Sequence, residues 1–146
     1  MTQKDKELLL KDLCSRLPYG VKGAIFNKDL GFGGISGFEG KYPFVIDGIT
    51  QEGDDIDVWV EHGNFSLETV KPYLFPLSSM TEEQKREYNK WKHEIPVCRY
   101  EYGDVVEEIE LYDSPESFEY LIENHFDYRG LIEKGLALDA TGKNIY

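Results

Sequence analysis

Residues 72–83, with the sequence PYLFPLSSMTEE, constrain the fold of this chain more than any other stretch. Pro72 and Pro76 fix φ and lack an N–H, so the three residues between them are predicted to be extended, at a sheet edge or packed across a core. Ser79 or Thr81 is then predicted to cap a helix whose first turn carries two glutamates, which the helix dipole favours. The segment therefore divides the chain into two parts.

The first part, residues 1–76, is predicted to hold one helix and a small β unit. Apolar residues recur at helical spacing from about Gln3 to Arg16. From residue 19 to residue 70, short strands alternate with Gly, Asn and Asp, and period-two alternation is clearest in residues 56–62. Four or five short strands beside a helix predict a small curled antiparallel sheet or a Src-homology-3-like barrel, because closure removes exposed edges.

The second part, residues 77–146, is predicted to be a helix, a β-hairpin and a helix, either as its own subdomain or within one compact domain. We expect the first helix over about residues 82–93 and the second from Pro115 to about His125. The whole chain is therefore predicted to be α+β.

The hairpin is predicted to join residues 95–102 to residues 105–112 around a two-residue turn at Gly103 and Asp104. This register places Tyr100 opposite Glu107 on a mostly apolar face. The other face is expected to pair Arg99 with Glu108.

The formal net charge is −12, which disfavours direct nucleic-acid binding because such proteins neutralise phosphates with Lys and Arg. No Lys or Arg lies between Arg99 and Arg129, where ten acidic residues occur. Three interpretations remain open for this segment: a solvated surface, a contact for a basic partner protein, or a nucleic-acid mimic that occupies a basic groove. The acidic residues are Glu101, Asp104, Glu107, Glu108, Glu110, Asp113, Glu116, Glu119, Glu123 and Asp127.

The sequence contains no recognisable catalytic or metal-binding motif, so we predict a protein that is not an enzyme and has no cofactor. The three histidines, His62, His93 and His125, lack the spacing of metal ligands on a helix, and Cys14 and Cys98 form no CxxC pair and are expected to be buried free thiols. The acidic turn at residues 54–57 lacks EF-hand spacing, and the glycine-rich residues 31–37 lack a GK[ST] motif. A metal-dependent enzyme assembled only by the fold stays as a second alternative.

Aromatic residues are the feature left to explain, since the chain has ten Tyr, eight Phe and two Trp. Tyr and Trp concentrate binding energy at protein interfaces. We therefore hypothesise a protein-interaction surface on the β unit and a second one on the acidic, tyrosine-bearing hairpin. The candidate residues are Tyr42, Trp59, Phe65, Tyr100, Glu108, Glu110, Tyr112, Glu119 and Tyr120.

The chain is expected to be cytoplasmic. Its longest apolar runs are far shorter than the roughly 20 residues that cross a bilayer, and its first residues carry charges of both signs without a secretory h-region.

Three segments, residues 7–21, 70–83 and 125–137, resemble a family of uncharacterised small proteins that recur in gut Bacteroidales genomes and their phages and prophages. The resemblance implies a cytoplasmic protein associated with phages or mobile elements. It provides no catalytic residues to carry over. No cofactor and no membrane contact are expected from the residues themselves. The resemblance does not choose between the functional hypotheses.

The aromatic and acidic surfaces predict a non-enzymatic protein-interaction module, and the acidity favours a basic protein partner of unknown identity. An acidic inhibitor or nucleic-acid mimic that occupies a basic groove is the alternative.

Overall fold

The computed structural model describes residues 1–26, 43–61 and 63–146. Helices and mostly antiparallel strands occur together in these residues, which confirms the predicted α+β class. None of the helices in these ranges is long and apolar enough to cross a membrane. In chain order the elements are α1 (Gln3–Arg16), β1 (Lys22–Ile25), β2 (Phe44–Val45), β3 (Gly48–Glu52), β4 (Asp55–Val60), β5 (Gly63–Ser66), β6 (Val70–Pro76), α2 (Glu82–Lys90), β7 (His93–Glu101), β8 (Asp104–Tyr112), α3 (Pro115–Glu123), β9 (Phe126–Asp127) and β10 (Leu138–Asp139).

Helix α1 occupies the predicted residues. Its N-terminus is closed by a capping box in which Thr2 Oγ1 accepts from the Asp5 N–H at 3.1 Å and the Asp5 carboxylate accepts from the Thr2 N–H at 3.1 Å. Leu9 and Leu13 lie one helical turn apart and are fully buried in the main hydrophobic core.

The proline-bracketed segment is strand β6, and it lies in the middle of a sheet. Strand β1 pairs with it antiparallel along one edge, and β10 pairs with it in parallel along the other. Strand β9 pairs in parallel with the last two residues of β6, Phe75 and Pro76. Pro72 is opposite Gly23, and the parallel pairing begins only at Tyr73, so the missing proline N–H interrupts no ladder bond. Residues 72–74 are buried, which corresponds to the predicted packing across a core.

Strands β3, β4 and β5 form a separate antiparallel sheet, with Ile49 opposite Val58 and Val58 opposite Phe65. Among the described residues the strands do not close into a barrel, so the predicted Src-homology-3-like barrel is wrong and the open-sheet alternative holds. The chain leaves β5 through a 3₁₀ turn at Leu67–Thr69, and β6 then pairs with β1 rather than with β5. The predicted glycine-rich turn at residues 31–37 lies outside the described residues.

The chain forms two compact units: Met1–Ser79 together with Ile122–Tyr146, and Met80–Leu121. The predicted division is at residue 76, with residues 77–146 as a second subdomain or the whole chain as one compact domain. Residues 122–146 belong to the first unit because β9 and β10 both pair with β6. The second unit is therefore an insertion within the chain of the first.

The second unit begins with α2, which is capped by Thr81 and Gln84 in a reciprocal capping box. This helix ends at Lys90, about three residues earlier than predicted, and leaves Trp91 51% exposed. The hairpin follows, and its turn is at Tyr102 and Gly103 rather than at Gly103 and Asp104.

The hairpin register is shifted by two residues from the predicted one, so that Tyr100 lies opposite Val105 and not Glu107. A shift of two residues preserves the face on which each side chain lies. Positive φ angles of 53° at Tyr102 and 85° at Gly103 identify a type I′ turn, which matches the twist of the strands.

Candidate functional site

The first unit contains a buried charged network that joins α1 to the last turn of α3 and to the segment that follows it. Asp12 and Arg16 are both fully buried, and the Arg16 guanidinium donates to Asp12 at 2.8 and 3.1 Å. Arg16 also donates to the carbonyls of Phe126 at 2.6 Å and Ile122 at 3.4 Å, and Arg129 Nε donates to Asp12 Oδ1 at 3.2 Å. The buried charges are paired with each other and hydrogen-bonded to backbone carbonyls, so this network links residues 122–129 to α1.

His125 lies beside this network and is buried. Its ring stacks on Tyr146 with centroids 3.8 Å apart, and its Nδ1 has no hydrogen-bond partner. Burial, together with the positive charges of Arg16 and Lys22, lowers the pKa of His125 to about 4. The imidazole is therefore neutral at pH 7, and its stacking on Tyr146 is a packing contact.

The hairpin of the second unit differs in that none of its strand residues is buried. One face is fully open to solvent, and we call it the open face. Its apolar side chains include Tyr100, which is 84% exposed, and Ile109, which is 66% exposed. The open face consists of Glu94, Pro96, Cys98, Tyr100, Val105, Glu107, Ile109 and Leu111.

The opposite face of the hairpin carries polar contacts between neighbouring side chains. Arg99 forms an ion pair with Glu108, as predicted, although the two residues lie diagonally across the strands because Glu108 is opposite Val97. The Tyr112 hydroxyl donates to Glu110, and this bond to a carboxylate raises the pKa of Tyr112. Two of the acidic side chains therefore already have partners within the hairpin.

Side-chain contacts link the two ends of the hairpin to each other and to helices α2 and α3. The Ser114 hydroxyl donates to the Trp91 carbonyl and accepts from the Ser117 N–H at 3.0 Å. The Tyr88 hydroxyl donates to Asp113, and the Tyr88 and Tyr120 rings stack with centroids 6.2 Å apart. Burial and the Asp113 carboxylate raise the pKa of Tyr88, which keeps the hydroxyl protonated as a donor. The base of the hairpin is thus held by side-chain contacts, whereas its strands are open.

The structure does not bring the predicted surface of the β unit together. Trp59 and Phe65 lie on opposite faces of the β3–β4–β5 sheet, since Phe65 is opposite Val58 and Trp59 is opposite Asn64. Phe65 packs against the main core, whereas Trp59 is 42% exposed and donates from Nε1 to Thr50 Oγ1 at 2.8 Å. Tyr42, the third residue of this surface, lies outside the described residues.

The other predicted residues all lie in the second unit. Tyr100 is on the open face, Glu108, Glu110 and Tyr112 are on the opposite face, and α3 carries exposed Glu119 and half-buried Tyr120. Sequence reasoning did not assign Val105, Ile109 and Leu111 to the surface. Their alternation was visible in the sequence, but such alternation is more typical of a face that packs in a core.

Other chemical groups do not converge on a site within the described ranges. No group of three His, Cys, Asp or Glu side chains in these ranges could hold a metal ion, and His62 lies outside them. A cleft of about 140 Å³ beside the acidic turn is lined by Lys6, Asp54, Asp55 and Glu68 among others, and Lys6 forms an ion pair with Glu68 there. Cys14 and Cys98 are free thiols, but both are exposed, so the predicted burial is wrong.

Comparison with known proteins does not add to this description. No family model, curated protein or solved structure matches the chain.

Proposed function

We propose that this protein is a non-enzymatic protein-interaction module that binds a basic protein partner through the open face of the β7–β8 hairpin. The observation that carries the proposal is the exposure of alternate apolar side chains along both strands of an acidic hairpin. Exposed apolar patches bordered by polar residues are typical of binding surfaces. Aromatic anchors such as Tyr100 supply a large part of the energy at such surfaces.

The turn residue Tyr102 supports the same assignment. It is 101% exposed and has a left-handed backbone conformation that Asn, Asp or Gly adopts at lower cost. A bulky aromatic residue at this position contributes little to the stability of the hairpin. It extends the aromatic surface beyond Tyr100 to the tip of the hairpin.

We also place the protein in the cytoplasm and associate it with phages or mobile elements. Two exposed free thiols suit a reducing compartment. The association rests on the resemblance of residues 7–21, 70–83 and 125–137 to the Bacteroidales and phage family.

The test is co-purification of a partner from native cells with the full chain and with single variants. Ile109→Ser should keep the melting temperature of the parent, because the side chain is exposed, and should lose the partner that the parent enriches. Trp59→Ala is the matched control in the first unit and should retain the partner. Loss of the partner with Trp59→Ala but not with Ile109→Ser would contradict the proposal and place the binding surface on β4.

The acidic inhibitor or nucleic-acid mimic is the alternative, favoured by the acidic segment between Arg99 and Arg129. Binding of that kind should collapse when salt rises from tens to hundreds of millimolar, because the Debye length shrinks to about 8 Å or less. Binding through the open face should lose less affinity under these conditions, because burial of Tyr100 and Ile109 depends little on ionic strength and only the contacts between charges are screened.

A further inference from the structure

The register of the hairpin determines which backbone groups point outward. Tyr102 and Gly103 form the turn, so Glu101 and Asp104 are the hydrogen-bonded pair that closes it. Hydrogen-bonded and non-hydrogen-bonded pairs alternate from there along an antiparallel ladder. The outward-pointing N–H and C=O groups of β8 therefore belong to Val105, Glu107, Ile109 and Leu111.

The two outer edges of the hairpin are not equivalent. The outward positions of β7 include Pro96, which has no N–H to donate, and proline is a common means of blocking a sheet edge. Proline and lysine are common residues that keep other strands from pairing with a sheet edge, and strand β8 contains neither of them. No strand of the described ranges pairs with its outer edge. From Val105 to Leu111 this edge offers about 20 Å of continuous backbone donors and acceptors.

We propose that the outer edge of β8 binds an extended basic peptide segment by antiparallel β-strand addition, with apolar residues of the segment alternating with Lys or Arg. This inference rests on the proposed function and specifies how the partner is bound. Main-chain hydrogen bonds give affinity in this mode, and alternate side chains give specificity.

The side chains beside the edge define the chemistry of the added strand. Three of the four β8 side chains on the open face, Val105, Ile109 and Leu111, are apolar and the fourth is Glu107, so residues of the added strand on that face are mainly apolar. Asp104, Glu108 and Glu110 lie on the opposite face, so the intervening residues are Lys or Arg. An antiparallel strand in this arrangement points the N–H groups of its apolar residues toward β8, because directly opposite residues share a face.

A second copy of the chain does not fit this edge. Antiparallel pairing of two β8 strands about a two-fold axis perpendicular to the sheet would place residues of the same face opposite each other. Centred on residue 107, 108 or 109, the pairing puts Glu107 against Glu107, Glu108 against Glu108, or Glu108 against Glu110. Like charges directly opposite each other are destabilising, whereas a basic strand removes the repulsion.

The experiment follows the NMR chemical shifts and the hydrogen-exchange rates of the backbone amides in the full ¹⁵N-labelled chain. The titrated ligand is the peptide Lys-Val-Lys-Val-Lys-Val-Lys, acetylated at its N-terminus and amidated at its C-terminus. We expect chemical-shift changes and slower hydrogen exchange at the amides of Val105, Glu107, Ile109 and Leu111, and no slowing at Cys98 on the β7 edge. The matched peptide with Glu in place of Lys should bind about tenfold more weakly or worse, because it faces Glu108 and Glu110.

Two N-methylated peptides separate backbone pairing from side-chain contact. Methylation of the backbone nitrogens of the three valines should weaken the affinity of the peptide about tenfold or more, because these N–H groups point toward β8. Methylation of the backbone nitrogens of the lysines should leave the affinity within about twofold of the parent peptide. Equal binding by both methylated peptides would overturn the inference. So would slow exchange at the β8 edge amides without peptide in a sample that sediments as a dimer, since a second copy would then occupy the edge.

The outcomes also separate this inference from the proposed function. If Ile109→Ser abolishes partner binding but the β8 amides stay unprotected and both methylated peptides bind alike, the open face binds without strand addition. If Ile109→Ser leaves partner binding intact, the proposed function itself fails.

Discussion

The first unit buries Asp12 and Arg16 completely, whereas the second unit leaves Tyr100 and Ile109 largely in water. Each arrangement is the reverse of what the residue types favour in isolation. In the first unit, paired charges and backbone carbonyls compensate the cost of burial. In the second unit, no contact within the hairpin compensates the exposure of its apolar residues. The comparison shows that burial of polar groups in the first unit is matched by their contacts, whereas the apolar exposure of the hairpin is the feature that our proposed function explains.

The largest expected effect compares one ion pair from each unit. Asp12→Ala leaves the Arg16 charge buried without its partner, so the free energy of unfolding should fall by about 3–5 kcal/mol. Glu108→Ala removes the partner of Arg99 on a solvated face, where the change should stay below about 1 kcal/mol. Urea unfolding followed by circular dichroism measures both. Equal losses for the two variants would contradict the comparison.

An intermediate effect concerns His125 and pH. The unfolded chain takes up a proton on this residue near pH 6.5, but the folded chain does so only near pH 4. The unfolded state therefore binds more protons between these values, and the free energy of unfolding should fall by about 2–3 kcal/mol as the pH drops from about 6.5 to about 4.

The variant His125→Asn tests this interpretation, because Asn tolerates the positive φ of 62° at this position but does not titrate. Denaturant unfolding at several pH values should show a shallower loss of stability for this variant than for the parent. His93→Asn is the control, since His93 is exposed, and it should keep the slope of the parent. If the free energy of unfolding of His125→Asn fell with pH as steeply as that of the parent, other groups would account for the acid sensitivity.

The smallest expected effect concerns the hairpin tip. Tyr102→Asn relieves a left-handed conformation and should stabilise the hairpin by about 0.5–1 kcal/mol. Hydrogen exchange at the ladder amides of Arg99 and Val106 reports the change. Tyr100→Asn, two residues before Tyr102 and within β7, should give no stabilisation. A less stable hairpin in Tyr102→Asn would mean that the exposed ring contributes to folding.

Local patterns in the sequence predicted the elements that depend on local physics. The apolar spacing predicted the limits of α1, and Pro72 and Pro76 predicted the extended segment that is strand β6. The faces of the hairpin were also predicted. The register was not, because placing the turn at Tyr102 requires a left-handed tyrosine, and the residue preferences for such turns do not favour it.

Contacts between distant parts of the chain could not be predicted in this way. Strands β9 and β10 are two residues each, too short to show any alternation, so their parallel pairing with β6 has no signal in the sequence. The open face escaped prediction for a different reason. Alternation identifies the residues that share a face, but whether water or protein covers that face depends on neighbours that the pattern does not name.

The position of β6 between β1 and the tail has a consequence for synthesis on the ribosome. The pairing of β6 with β1 can form as soon as β6 emerges, but its pairings with β9 and β10 must wait until residues 126–139 have been made. The hairpin, whose contacts are local, can form during this interval. A nascent chain is therefore expected to form the hairpin, which we propose binds a partner, before the first unit has completed its own sheet.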